Sequence, residues 1–290
     1  MSQFGVSLFL GTLAFLFSWV LTRIAIPVGV HWDALDYPTE GKIHPAPVPY
    51  TGGPAVALVV LGLGWLFAGL DALTTLFLLT GFLLGWIDDL RPLPPIQKLG
   101  LSFLPLAVWV TSWEHRVGWA LGTLLLSLYL VHAINWMDGL DGLLAGILGI
   151  ALFGLAVLAW HQRDPESFAL AMITLGALLG FLVYNFHPAR IFLGDNGSFF
   201  LGFLFLVLLW KMGRDHLSLP GLLFVAVPIA NGLLTLGYRL YRGVPVWVRG
   251  RDHTYDWMLR RCSYVTTVVS YYALTLATVL LGLGWAIFWQ

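Results

Sequence analysis

Apolar runs of roughly 17–25 residues, the length that crosses a bilayer as a helix, recur along the whole chain and alternate with short polar breaks. Ten helical spans are predicted, at approximately 4–28, 52–70, 72–87, 99–112, 117–134, 139–160, 167–186, 197–212, 217–238 and 264–288. Several junctions, around Asp71 and Asn135 for example, are only a few residues long, so successive helices should form antiparallel hairpins. The fold expected is an all-α integral membrane protein, a single polytopic domain over residues 1–290. Its longer polar connections are 29–51, 88–98, 135–138, 187–196 and 239–262. No fixed-period repeat and no low-complexity segment interrupts the pattern.

Composition agrees. Hydrophobic residues make up 59% of the 290 and charged ones 10%, where a soluble domain carries about 25%. The formal net charge of zero argues against nucleic acid as a partner. The single cysteine, Cys262, excludes an intrachain disulfide and a cysteine metal cluster. The first apolar run has no Lys or Arg before it, so Phe4–Val20 reads as a retained anchor and not as a cleaved signal.

Charge placement orients the bundle. The odd-numbered connections, with juxtamembrane Arg23, hold Lys42, Arg91, Lys98, Arg190, Arg239, Arg242, Arg249, Arg251, Arg260 and Arg261, eleven of the fifteen Lys and Arg. The even-numbered ones hold Arg116, Arg163, Lys211 and Arg214. By the positive-inside rule the odd connections are cytoplasmic and both termini lie outside, in a plasma or inner membrane. Asp88, Asp89, Asp138, Asp141, Asp195, Asp252 and Asp256 all fall on that same side, as expected of an enzyme working at the cytoplasmic membrane face. A transporter would more often place its charges near the midplane, where His132 is the one clear ionisable candidate.

Three stretches concentrate the acids. Asp88 and Asp89 end the third span just before Pro92, which the helix cannot include. Carboxylates there face the negative end of the helix dipole, a placement disfavoured by about 0.3–1 kcal/mol each, and one that calls for a cation or ligand. In Asn135-Trp-Met-Asp138-Gly-Leu-Asp141-Gly142, Asp138 is expected to begin the sixth helix, which would put both carboxylates on one face. Asp195, with Ser198 in the following turn, reads as an N-cap of the eighth. Ordinary capping accounts for these latter acids as well as function does. Helix N-termini also bind phosphate. The basic loop Tyr238–Arg261 adds Arg249, Arg251 and His253, either a membrane anchor or a phosphate-binding set. An oxygen-rich group without Cys or clustered His suits Mg²⁺ or Mn²⁺, so the residues point to metal-assisted phosphoryl chemistry on a bilayer-anchored substrate.

Four motifs taken together, His44–Gly53 (HPAPVPYTGG), Gly85–Lys98 (GWIDDLRPLPPIQK), His132–Gly146 (HAINWMDGLDGLLAG) and Asn185–Phe203 (NFHPARIFLGDNGSFFLGF), resemble in content and order the polyprenyl-phosphate N-acetylhexosamine-1-phosphate transferases. The His44–Gly53 element is closer to the UDP-N-acetylglucosamine branch than to the muropeptide branch. The resemblance implies transfer of a sugar 1-phosphate, GlcNAc-1-phosphate by that branch, from a UDP-sugar to undecaprenyl phosphate with release of UMP, the initiating step of a cell-envelope glycan. It implies Mg²⁺ held by Asp195, and Asp88 as the acid that deprotonates the lipid phosphate or, in a two-step scheme, attacks as nucleophile. It further implies Asp89 supporting the metal, Asn135, Asp138, Asp141 and Asn185 lining the uridine and diphosphate pocket, and a homodimer. Lys42 and His44 lie near the family's basic loop position.

Two departures stand out. The family's later cytoplasmic element carries two or three histidines, where this chain has His253-Thr254-Tyr255-Asp256, and an aspartate of the ninth span is Asn231 here. Arg249, Arg251 and His253 are expected to cover the phosphate role. Two rival readings are a flippase or transporter for lipid-linked sugars and a CDP-alcohol phosphatidyltransferase. The pattern of the latter needs Arg where this chain has Gly146, and its further acids are missing until Asp164.

Overall fold

The computed structural model describes residues 3–39, 42–113, 116–212, 219–245 and 250–288. Its helices are α1 (Gln3–His31), α2 (Gly52–Phe67), α3 (Ala72–Leu90), α4 (Pro95–Trp113), α5 (Val117–Asn135), α6 (Leu143–His161), α7 (Pro165–Asn185), α8 (Gly194–Met212), α9 (Leu219–Phe224), α10 (Ala226–Arg242), α11 (Thr254–Leu259) and α12 (Tyr264–Phe288). A two-residue antiparallel ribbon, β1 (Leu35–Asp36) with β2 (Val48–Pro49), folds the loop after α1.

Among the described residues each expected span is helical, and seven helices are long and apolar enough to cross a membrane: α1, α3, α5, α6, α7, α8 and α12. With lipid instead of water against their outer faces, such helices need not be amphipathic. The bundle is sorted by burial instead. α8 is its axis: Phe199, Phe200, Phe203 and Phe205 are fully buried, and α2, α3 and α5 pack around it. α6 and α7 form a second buried pair, covered by α12 and α1 respectively. The peripheral helices turn Leu, Phe and Val outward, as at Phe9, Leu83, Leu104, Leu125 and Leu281.

Three predicted boundaries change, each for a local reason. The ninth span is split into α9 and α10 at Val225, because Pro228 has no N–H to donate and its ring would strike the carbonyl four residues back. α6 begins at Leu143, not at Asp138: Gly142, at φ +75°, takes a left-handed conformation that glycine tolerates and ends the preceding turn. Asp138 and Asp141 therefore sit in a loop and do not share a helical face. α8 begins at Gly194, so Asp195 lies inside its first turn instead of capping it.

Candidate active site

The carboxyl end of α3 meets the amino end of α8. The approach depends on Gly85, where an added Cβ would lie 2.1 Å from the carbonyl oxygen of Asp195. Asp89 accepts from the backbone N–H groups of Asp195 and Asn196, each at 2.9 Å, and also from the Asn196 amide. A position unfavourable for its own helix is thus offset by the positive end of another. Asp88 points elsewhere. Its Oδ1 accepts from Leu93 N at 2.6 Å, closing the turn into α4, and its Oδ2 is paired with Lys98.

Lys98, in the first turn of α4, joins the two acids. Its ammonium also lies 3.3 Å from Asp195 Oδ2. From the end of α5, Asn135 donates through Nδ2 to Asp195 Oδ1 and to Ser198 Oγ, both at 2.8 Å. Asp195 meets the Lys98 ammonium, the Asn135 amide and the Asp88 carboxyl while keeping 30% of its side chain exposed. Asp138 faces this group from the loop after α5. Burial, then the fields of Asp195, Asp89 and Asp141, push its carboxyl up to about 8.

The remaining loop residues knit the floor. Asp141 accepts from His187 Nδ1 at 2.8 Å and Ala189 N at 3.0 Å, and its own N–H meets the Tyr264 hydroxyl. Asn185, buried, accepts from Gly142 N at 3.0 Å and donates to Ile191 O at 2.9 Å. It ties the two loops together.

Not every expected residue joins the cluster. Lys42 pairs with Asp36, and His44 places Nε2 3.2 Å from Asp36 Oδ2. Both sit in the loop that joins the two strands of the ribbon, which meets the residues before α8 at the His44 ring, edge to face on Phe192 at 5.2 Å, and at Pro49 O, which accepts from Phe192 N at 2.8 Å. Arg251 pairs with Asp256 at 3.3 Å. His253 Nδ1 is turned to Thr235 Oγ1 at 3.2 Å, its ring is stacked on Tyr255, and burial and the nearby Arg239 hold its imidazole down at about 4. No hydrogen bond or ion pair among the described residues links Arg251 or His253 to Asp88, Lys98 or Asp195, and Arg249 lies outside the described residues. Loop and site communicate through Tyr255, whose hydroxyl donates to Trp136 O at 3.2 Å.

Lys98 is the residue that sequence reasoning overlooked. The signal was present: a cation in the first turn of a helix is as uphill as Asp88 at the end of one, and the two lie ten positions apart.

Among the described residues no group of three or more His, Cys, Asp or Glu is arranged to hold a metal. A hard cation that takes one or two carboxylates and completes its shell with water and phosphate oxygens fits Asp195, which is part exposed and oriented by Asn135. Asp89 is engaged by three N–H groups at the start of α8, so its part in such a site would be to hold that helix end in place.

Residues 72–213, from α3 through α8, match Glycosyl transferase family 4. A probable undecaprenyl-phosphate N-acetylglucosaminyl 1-phosphate transferase of Bacillus subtilis (strain 168) is 30% identical over 259 residues, covering 81% of this chain and 71% of that protein. A phospho-N-acetylmuramoyl-pentapeptide-transferase of Geobacillus thermodenitrificans (strain NG80-2) is 32% identical over 275 residues, 81% of this chain and 82% of the relative. A decaprenyl-phosphate N-acetylglucosaminephosphotransferase of Mycobacterium leprae (strain TN) is 29% identical over 304 residues, 86% and 76%. Relatives named for two different sugars match almost equally, so identity alone does not choose the branch.

Proposed function

Because the chain belongs to glycosyl transferase family 4, the polyprenyl-phosphate N-acetylhexosamine-1-phosphate transferases, we propose that it moves GlcNAc-1-phosphate from UDP-GlcNAc to undecaprenyl phosphate and releases UMP. The observation that carries this reading is the bridge from Asp88 through Lys98 to Asp195, where α3 ends and α8 begins. Phosphate attacking phosphate brings like charges together, so positioned cations supply most of the catalysis.

Asp195 is the metal ligand in this reading, and a divalent cation bound there would neutralise charge on the diphosphate oxygens. Lys98 presents its ammonium to the same oxygens. Asp88 keeps Lys98 in place and takes the residual proton of the lipid phosphate; a monoester phosphate has its second pKa at about 6, so this proton transfer contributes little near neutrality. The Asn135–Gly142 loop, with Asp138 and Asp141, forms the wall for the nucleotide sugar. Displacement is direct: the lipid phosphate oxygen bonds to the β-phosphorus, and the bond to the UMP oxygen breaks. In this reading this end of the bundle is the cytoplasmic face, which the Lys and Arg bias supports.

Detergent-purified protein given UDP-GlcNAc, undecaprenyl phosphate and Mg²⁺ should release UMP only when all three are present. Absence of UMP across a panel of UDP-N-acetylhexosamines would overturn the proposal.

A further inference from the structure

One helical turn below the Lys98, Asn135 and Asp195 cluster lies a second set of three residues. Ser102 follows Lys98 by four positions on α4, His132 precedes Asn135 by three on α5, and Phe199 follows Asp195 by four on α8. His132 touches both of the others. Its Nε2 is 3.0 Å from Ser102 Oγ, and its ring meets Phe199 edge to face at 5.4 Å and 86°. The Ser102 hydroxyl donates to Lys98 O at 2.8 Å, leaving its lone pairs to accept from the imidazole N–H.

Both polar residues are buried within apolar helices, Ser102 completely and His132 to 6% exposure. Polar groups at such depth are uphill unless paired, and in membrane spans they mark positions where function outweighs that cost. The location explains what the pair can do. α4 is peripheral: it packs on α3 and α5 and exposes Leu101, Phe103, Leu104 and Val108. Apolar contact is non-directional, so it lets a peripheral helix slide. A hydrogen bond to α5 sets a register.

We propose that His132 is a positioning residue, which through Ser102 and Phe199 fixes where Lys98 and Asn135 stand relative to Asp195. The proposal rests on the transferase reading for its consequence, while its structural content can be tested without activity. Lys98 is one of three lysines in the chain, with Lys42 and Lys211. Its two carboxylate partners and its 16% side-chain exposure should protect it from an amine-acylating reagent.

Mass-spectrometric mapping of acylation on the intact, substrate-free protein should find Lys98 less reactive than Lys211. In His132→Leu and, independently, Ser102→Ala, that protection is expected to be lost, and in His132→Gln, whose amide can donate from a similar position, to be kept. In turnover assays His132→Leu should lower kcat about 10²-fold, the cost typical of a misplaced catalytic group, with KM for the UDP-sugar little changed and His132→Gln restoring most of it. Protection of Lys98 unchanged in both His132→Leu and Ser102→Ala would overturn the proposal whatever the kinetics show. Lost protection in a protein whose wild type releases no UMP would uphold the positioning role and sink the transferase reading instead.

Discussion

Lys98 carries the clearest expectation at the scale of single residues. Replacing it with Met leaves Asp88, whose side chain is wholly buried, without its counter-charge, a loss of about 3–5 kcal/mol for a broken buried pair. Thermal unfolding in detergent should show the drop, and kcat should fall about 10²–10³-fold, as when a donor to developing phosphate charge is removed. Lys98→Arg should recover stability more than turnover, since a planar fork cannot place one point charge between Asp88 and Asp195. Asp138 predicts a pH effect. Its folded pKa of about 8 lies above the 3.8 of the unconstrained group, so the protonated acid is the form the fold favours. Its stabilising contribution is complete below about pH 3.8 and is lost as pH rises through about 8. Melting temperatures of metal-free protein should therefore depend less on pH between 4 and 8 in Asp138→Asn than in wild type. His253 runs the other way: its imidazole, lowered from 6.5 to about 4, stabilises above pH 6.5 and is lost as a stabilising group as pH falls through 4.

Among the helices, the junction of α3 with α8 is the decisive contact. Asp89→Ala should cost about 0.5–2 kcal/mol, the usual loss of an N-terminal cap, read as a lower melting temperature. Asp89→Asn keeps an acceptor oxygen and should retain the wild-type Mg²⁺ concentration for half-maximal activity. A large rise in that concentration would restore Asp89 to the metal-binding set. Helix existence was legible in the chain because each span satisfies its own backbone in lipid. Helix ends were less so. Asp138 looked like an N-cap by residue type, yet Gly142 ended the turn and moved the start of α6 beyond both acids. Lys98 could have been found by applying to a helix start the dipole argument that singled out Asp88.

At the scale of the whole molecule, the polar connections after α3, α5 and α7 and the ribbon after α1 converge on one end of the bundle, as does α11 through Tyr255. The lone cysteine reports which side that is. Cys262, partly exposed between α11 and α12, should react with a membrane-impermeant maleimide in inside-out vesicles and not in intact cells. Arg163→Cys on a Cys262→Ala background, at the junction of α6 and α7, should show the opposite. Labelling of Cys262 from outside intact cells would reverse the orientation.

The sequence by itself determined the membrane class, the helical fold, the side on which charge gathers and the family, because span length, charge bias and ordered motifs are properties read along the chain. It did not decide which acids act together. Asp88 and Asp89 are adjacent, yet one faces Lys98 and the other caps a helix 106 positions away. That division comes from the meeting of opposite helix dipoles at Gly85, and only the tertiary structure brings them together.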